Sequence, residues 1–295
     1  MDAGYTLPEI QVRDLEDDPS AGALVTRSLA RSVARLFTNL SESDPKSIHQ
    51  ARVATRRLRS DLRTFSPLLK GGASTLRRDL KPLAALLGEV RDRDVFMSRV
   101  SGNVAVLDET DKPVVEALLG AFGRRREKSL VRLHVYLETF DELAVRLTAW
   151  ACSPPLKAGS DRRGRKVLPP LVRRRWKRVE SAVREPGPKD SAALHRIRVL
   201  TKSVRYGAEL VAPAVGRKAD RFAAAAAVVQ DVLGDHHDAV VGHRILISTA
   251  RRLAPRHAAA LGQLAGLELA RQRQAEADWE PAFAALNRKE LRKWM

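Results

Sequence analysis

The sequence has 295 residues, with 53 Lys or Arg and 35 Asp or Glu, so the formal net charge is +18. Hydrophobic residues make up 44% of the chain, which is normal for a globular protein and excludes wholesale disorder. This excess of positive charge attracts nucleic acid, anionic membranes or other polyanions, and composition alone does not choose among them.

Cys152 is the single cysteine, which excludes an internal disulfide framework and makes a reducing compartment the simplest expectation. The N-terminal stretch is acidic between Glu9 and Asp18 and lacks the basic and apolar regions of a signal peptide. No apolar run approaches the roughly 20 residues that span a bilayer. We therefore expect a soluble, cytoplasmic protein that makes no use of a membrane.

Helical periodicity dominates the chain. Apolar residues recur at helical spacing, clearly over 48–65 and 194–211, and strand signals are scarce because aromatic residues are only 5%. The sequence therefore predicts an all-α fold. Breaks are predicted at Ser66-Pro67, at Gly71-Gly72 and at Pro186-Gly187-Pro188, and the basic, Pro/Gly-rich stretch after residue 152 is typical of a linker or an exposed crossover.

An internal repeat relates the two halves of the chain at a constant offset of 146 residues. The segment 49–59 aligns with 195–205, and at the same offset Asp92 falls on Asp238. The offset predicts two related helical bundles, packed about a pseudo-two-fold axis so that their equivalent faces meet or oppose each other. The expected boundaries are an acidic N-terminal extension at 1–19, a first half at 20–152, a basic linker at 153–167 and a second half at 168–295.

Five basic residues recur along one side of the helix predicted over 48–65. At about 100° per residue they fall within a stripe about 80° wide, opposite Ala51 and Leu58. The first basic row consists of His49, Arg52, Arg56, Arg59 and Arg63. Like charges at this spacing destabilise a helix. The row therefore predicts an anion-binding surface, and the alternatives are a facing acidic surface or an ordinary solvated helix face.

The second half repeats this arrangement, except that Glu209 stands where Arg63 stands in the first half. The second basic row consists of His195, Arg198, Lys202 and Arg205. Arginine forks match phosphate oxygens, and lysine supplies a point charge. We expect the two rows to hold a linear anion with closely spaced charges from both sides. Each histidine would gain charge as the pH falls toward about 6.

Further basic residues extend the predicted surface at the spacing of one helical turn or beside the repeated aspartates. They are Arg27, Arg31, Arg173, Lys177, Arg77, Lys81 and Arg91. The run 124–126 is more typical of a solvated helix face.

Two Leu-Gly-x-x-x-Asp elements contain Gly88 with Asp92 and Gly234 with Asp238. Glycine is common just past the end of a helix and aspartate is a common N-cap, so we expect the glycines at helix ends and the aspartates as caps of following helices. The alternative is that the aspartates orient arginines of the basic rows or bind a divalent ion.

Metal and catalytic motifs are weak or missing. His236, His237 and His243 are close in sequence, but adjacent histidines on a helix face different ways, and one cysteine excludes zinc sites that need two. The sequence contains no phosphate-binding loop, nucleophile elbow or His-Glu-x-x-His helix. We therefore expect binding without catalysis, metal or cofactor.

From about residue 20 to the end, the pattern resembles the CHAD family (conserved histidine α-helical domain). The resemblance rests on residues 49–59, 87–95, 195–206 and 230–238. It implies one compact domain, a pseudosymmetric helical bundle with a basic central channel or face that binds inorganic polyphosphate. Members of the family are associated with polyphosphate granules. The implied binding set is His49, Arg52, Arg56, Arg59, His195, Arg198, Lys202 and Arg205, with Lys81 and Arg91 as additions.

Glu209 and the alanine run 223–227, which aligns with 77–81, depart from a symmetric pattern and predict a less basic second half. Polyphosphate is the leading expected partner, with other polyanions as further partners. One alternative is a nucleic-acid-binding protein, although Tyr206 is the nearest aromatic available for base stacking. Another is a metal-dependent enzyme of polyphosphate metabolism, with an Asp cluster that holds Mg²⁺.

Overall fold

The computed structural model describes residues 7–186 and 190–295, and over these ranges the chain forms eleven α-helices and short 3-10 turns, without a strand. The predicted all-α fold is confirmed. The first half contains α1 (Ala21–Leu40), α2 (Pro45–Thr64), α3 (Ala73–Ser101), α4 (Lys112–Leu137) and α5 (Asp141–Cys152). The second half contains α6 (Gly164–Val167), α7 (Pro169–Arg184), α8 (Ser191–Val215), α9 (Arg217–Ala250), α10 (Pro255–Leu286) and α11 (Lys289–Arg292).

Aspartate N-caps begin the two helices that carry the basic rows. The carboxylate of Asp44 accepts a hydrogen bond from the backbone N–H of Lys46 at 2.9 Å at the start of α2. Asp190 accepts one from the backbone N–H of Ala193 at 2.8 Å at the start of α8. Each cap satisfies a backbone donor that the first helical turn leaves free, which stabilises the start of the helix.

Glycines with positive φ precede the two long inner helices. Gly72 has φ 98° before α3, and Gly216 has φ 80° before α9, a conformation that a side chain disfavours. The predicted breaks at 66–67 and 71–72 are confirmed. The break at 186–188 falls between α7 and α8, and its residues 187 and 188 lie outside the described residues.

Helix bounds follow the offset found in the sequence. α2 begins at Pro45 and α8 at Ser191, 146 residues later. The bounds of α3 and α9, and of α4 and α10, correspond at the same offset to within three residues. The pseudo-two-fold axis itself stays a prediction.

The main hydrophobic core runs through both halves. Leu58 and Phe65 of the first half belong to the same buried cluster as Val204 and Phe222 of the second. A smaller cluster joins the far ends of α3, α4, α9 and α10 around Phe96 and its neighbours. Burial of each large apolar side chain contributes about 1.5–3 kcal/mol, so the two halves stabilise each other.

A buried ion-pair network also joins the halves near the second cluster. The carboxylate of Glu268 on α10 accepts hydrogen bonds from Arg99 of α3 at 2.6 Å and from Arg271 at 2.7 Å. Loss of one partner from such a buried pair costs about 3–5 kcal/mol. The two halves are therefore joined here as well as where α2 meets α8.

The segment 153–167, predicted as a linker or crossover, lies against the first half. The backbone N–H of Gly22 donates to the carbonyl of Ser160 at 2.7 Å, and that of Lys157 donates to the carbonyl of Leu68 at 2.9 Å. The predicted domain boundaries stay predictions. None of the helices in the described part of the chain is long and apolar enough to cross a membrane.

Candidate functional site

Helices α2 and α8 contact each other through small hydroxyl side chains. The Oγ of Ser60 donates a hydrogen bond to the Oγ of Ser203 at 3.1 Å. Because these side chains are short, the helices approach closely and the basic rows meet. Arg56 interacts electrostatically with Arg198 and with Lys202 across the contact. We call the space into which both rows project the central cleft.

Arg56 and Lys202 are half-buried in the central cleft. Helical spacing alone predicts that both residues are exposed. This prediction is wrong, because the spacing shows which side of a helix a residue occupies and not which element covers it. Burial, together with the positive charge of Arg52, lowers the pKa of Arg56 to about 10. Burial, followed by the charges of Arg198 and Arg56, lowers the pKa of Lys202 to about 7. The cleft thus holds cations that repel one another and have lost water.

Two aspartates accompany the arginines at the heads of the rows. The Nη1 of Arg52 donates to the Oδ1 of Asp92 at 2.8 Å. Arg198 interacts electrostatically with Asp238, the corresponding residue of the second half. The expected capping role is wrong, because both aspartates lie inside the uninterrupted helices α3 and α9. The alternative, that they orient arginines of the rows, agrees with these contacts.

Gly88 and Gly234 also lie inside α3 and α9, so their expected place at helix ends is wrong. A Cβ atom added to Gly88 would lie 3.9 Å from the Nη2 of Arg52. One added to Gly234 would lie 3.7 Å from the Nη2 of Arg198. A Cβ at either position would be in ordinary van der Waals contact with the guanidinium group, so only a side chain larger than alanine would compete with it for space.

Three histidines contribute to the cleft from α2, α8 and α9. The ring centroids of His195 and His237 are 4.7 Å apart. Burial, followed by the charge of Arg91, lowers the pKa of His49. Burial, followed by Arg198, lowers the pKa of His195 and takes the pKa of His237 to about 4. These rings are therefore neutral in the free protein near neutral pH.

His236, next to His237 in sequence, points elsewhere. Its Nε2 lies 3.2 Å from the Oε1 of Glu276 on α10. Within residues 7–186 and 190–295, no three His, Cys, Asp or Glu side chains gather in a way that would hold a metal ion.

A cavity of about 190 Å³ opens on one side of the α2–α8 contact, beside Val199 and Tyr206. Six basic side chains from four helices line it, and its described lining contains no Asp or Glu. We call these six residues the arginine pocket: Arg56, Arg59, Arg63, Arg77, Arg175 and Lys202.

Arg175 is the member of the pocket that sequence reasoning missed. It comes from α7, and its Nη2 donates to the backbone carbonyl of Arg63 near the end of α2. Burial, followed by the charge of Arg63, lowers the pKa of Arg175 to about 10. The repeat gave no signal for this residue, because the position 146 residues earlier is Leu29. Only the basic run 173–178 indicated this helix.

Arg27 and Arg31 lie in a separate groove between α1 and α2. Glu209 reaches this groove, where its carboxylate pairs with Arg57 at 2.7 Å and lies 3.3 Å from the Nε of Arg205. The carboxylate of Glu209 therefore offsets part of the positive charge of this groove, and it also lies beside Arg205 of the second basic row.

The remaining predicted residues lie at the margins. Arg173 and Lys177 are exposed on α7, and Lys177 lines a surface groove away from the arginine pocket. Lys81 is exposed on α3, whereas Arg91 lies close enough to His49 to act on its charge. Binding roles for these four residues stay predictions.

Tyr206 is buried, with its ring 5.4 Å from the guanidinium of Arg57 and 5.3 Å from that of Arg205. It is therefore unavailable for stacking on a base.

A sequence model of the CHAD domain matches residues 24–247. The chain belongs to the CHAD family. Two uncharacterized proteins of Mycobacterium tuberculosis, MT2285 and Rv2226, are each 31% identical to this CHAD protein over 219 residues, which is 69% of its length. It spans only 40% of the length of these relatives.

Solved structures share the fold. PptA from Streptomyces chartreusis superposes with a TM-score of 0.73 at 18% identity, over 90% of this chain and 99% of that one. The crystal structure of the CHAD domain from the plant Ricinus communis superposes with a TM-score of 0.68 at 24% identity, over 96% and 97% of the two chains.

Proposed function

We propose that this CHAD protein binds inorganic polyphosphate in the central cleft and does not turn it over. The observation that carries the proposal is the convergence of two basic rows on one cleft, where cations with lowered pKa values repel one another. Such an arrangement costs free energy in the free protein, and a linear polyanion would recover it by charge-assisted hydrogen bonds. Arginine, which dominates the cleft, suits phosphate oxygens in particular.

Nucleic acid is the competing ligand. Binding of single strands without sequence preference depends on aromatic side chains that stack on bases, and Tyr206 is buried under two arginines. We therefore expect polyphosphate to be preferred over RNA and DNA at equal charge.

A competition assay tests this preference. Labelled long-chain polyphosphate on the purified protein is challenged with single-stranded RNA, duplex DNA and heparin at near-physiological salt. Retention of polyphosphate against a large charge-equivalent excess supports the proposal. Displacement on a charge-for-charge basis would show a generic cationic surface. Metal-dependent release of phosphate in the same samples would show an enzyme instead of a binding protein.

Charge reversal at the cleft tests its location. The double variant Arg56→Glu, Lys202→Glu should lose polyphosphate binding while its helix content, measured by circular dichroism, stays that of the wild type. The matched control is Arg124→Glu with Lys128→Glu, which makes the same change of charge at exposed positions of α4. Equal loss in the control would contradict a specific cleft, and unfolding of the first variant would mean that the cleft cations are structural.

In the cell, we expect the protein to be located at polyphosphate granules. A fluorescent fusion should follow the granules, and the Arg56→Glu, Lys202→Glu variant should not.

A further inference from the structure

Positive charge is unevenly distributed along the central cleft. At one end, Arg52 pairs with Asp92 at 2.8 Å and Arg198 interacts with Asp238, so each guanidinium shares its charge with a carboxylate. At the other end, the arginine pocket gathers six basic side chains, and no carboxylate lines it in the described residues. A ligand lying along the cleft would therefore meet much more net positive charge at the pocket.

The arginine pocket also contains hydrogen-bond donors that the folded chain leaves unused. The Nε of Arg59 is buried and has no hydrogen-bond partner within the described residues. Burial, followed by the charge of Arg77, lowers the pKa of Arg59, and burial, followed by Arg178, lowers the pKa of Arg63. An unpaired, desolvated donor is costly unless a ligand accepts from it.

The corresponding side of the other half has a matching buried donor without a hydrogen-bond partner, the Nε of Arg205, but it lacks the concentration of positive charge. At the offset of 146 residues, Glu209 replaces Arg63, Leu29 replaces Arg175 and Ala223 replaces Arg77. Glu209 pairs with Arg57 at 2.7 Å. The second half therefore has a negative charge at the position where the pocket has the positive charge of Arg63. The uncompensated end of the cleft is therefore a feature of one side only, and the site has a direction.

Condensed phosphates have a matching asymmetry. An internal unit of the chain carries a single ionised oxygen, whereas a terminal phosphate carries about 1.5–2 negative charges near neutral pH and three acceptor oxygens. A terminal phosphate would gain most where cations are uncompensated, and it would be repelled by Asp92 and Asp238 at the opposite end. The negative charge of the ligand and the positive charge of the cleft then both increase toward the arginine pocket.

We propose that the arginine pocket holds the terminal phosphate of a linear condensed phosphate, and that the rest of the chain runs from there along the central cleft past Arg52 and Arg198. This inference rests on the proposed function and adds to it a preference for chain ends. Short linear condensed phosphates should therefore bind in the pocket by themselves.

Linear and cyclic phosphates separate recognition of ends from recognition of charge. Calorimetric titrations compare linear tripolyphosphate with cyclic hexametaphosphate, which carries more negative charge and has no terminal phosphate. We expect linear tripolyphosphate to bind about tenfold more tightly or better, the effect of one charge-assisted hydrogen bond. Equal or tighter binding of the cyclic compound overturns end recognition. Failure of long-chain polyphosphate to bind the wild type would instead overturn the proposed function.

A variant pair then tests the location. Arg59→Gln with Arg175→Gln should bring the linear and cyclic affinities to within a factor of about two, because the cations that favour the terminal phosphate are gone. Arg124→Gln with Lys128→Gln removes equal charge from exposed positions of α4 and should keep the wild-type ratio. A thermal melt checks folding. The substitutions relieve repulsion between cations, whereas Arg175→Gln also removes the hydrogen bond to the carbonyl of Arg63, so the melting temperature should change little. A wild-type ratio in the folded pocket variant would overturn the assignment.

Discussion

Lys202 lies among the charges of three helices: Arg198 on its own helix, Arg56 and Arg52 on α2, and Asp238 on α9. Burial and the arginines outweigh the aspartate, so its pKa falls from 10.5 to about 7. The folded free protein loses this proton near pH 7, whereas the unfolded chain keeps it to about 10.5. Lys202 therefore makes the free protein less stable as the pH falls from about 10 toward 7.

A polyphosphate in the cleft would offset the neighbouring positive charges and raise the pKa of Lys202 again, so binding takes up a proton above pH 7. We predict that affinity falls as the pH rises from about 7 to 9. Calorimetry at about pH 8.5 in two buffers of different ionisation enthalpy measures the uptake, at a pH where histidine no longer titrates. The variant Lys202→Arg keeps the positive charge and should take up fewer protons when polyphosphate binds. Equal proton uptake by both proteins would count against Lys202 as the group that is protonated.

For single residues, the sequence predicts which side chains belong to the two basic rows better than it predicts how deeply they are buried. Helical spacing places Arg56 and Arg59 on one side of α2, and the offset of the repeat places Arg198 and Lys202 on the matching side of α8. Burial was not predictable, because it depends on the close α2–α8 contact at Ser60, and nothing in the local pattern marks that serine.

The continuity of helices α3 and α9 was also not predictable from the local sequence. Glycine and aspartate are typical of helix ends, so Gly88 and Asp92 predicted a break where the helix in fact continues. A glycine inside a helix costs about 1 kcal/mol relative to alanine. A Cβ at Gly88 would make only ordinary van der Waals contact with Arg52, so the space beside Arg52 excludes side chains larger than alanine, a reason that lies on another helix.

Two substitutions of Gly88 separate helix stability from site geometry. Gly88→Ala should raise the free energy of unfolding by up to about 1 kcal/mol and keep binding, since its Cβ would lie 3.9 Å from Arg52. Gly88→Leu should displace Arg52 from Asp92 and weaken polyphosphate binding by about tenfold. Denaturant titration and binding isotherms measure both effects. Wild-type affinity in a folded Gly88→Leu protein would mean that the space beside Arg52 does not limit the side chain at this position.

For the whole molecule, the internal repeat predicted the two basic helices, and the residue pattern predicted the all-α fold and the family. The arginine pocket was harder to predict from the repeat, because the two halves differ at Arg175 and at Glu209. A repeat carries information about what the halves share. The asymmetry of the site comes from single substitutions on elements that meet only in the folded chain.

The net charge of +18 affects stability and binding in opposite directions. In the free protein, like charges around the cleft repel one another, and added salt screens the exposed ones over distances of about 10 Å. Screening also weakens the attraction of a polyanion, whose binding releases counterions. The shared core and the buried Glu268 network hold the two halves together against the repulsion.

We therefore predict that an increase of NaCl from about 50 mM to about 200 mM raises the melting temperature of the free protein, while polyphosphate affinity falls steeply with the logarithm of salt concentration. Differential scanning fluorimetry and fluorescence anisotropy measure the two responses on the same samples. In Arg56→Glu with Lys202→Glu the rise in melting temperature should be smaller, because cleft repulsion is already relieved. A melting temperature that falls with salt in the wild type would mean that attractive surface pairs outweigh the repulsion, and the cleft cations would then not be under electrostatic strain.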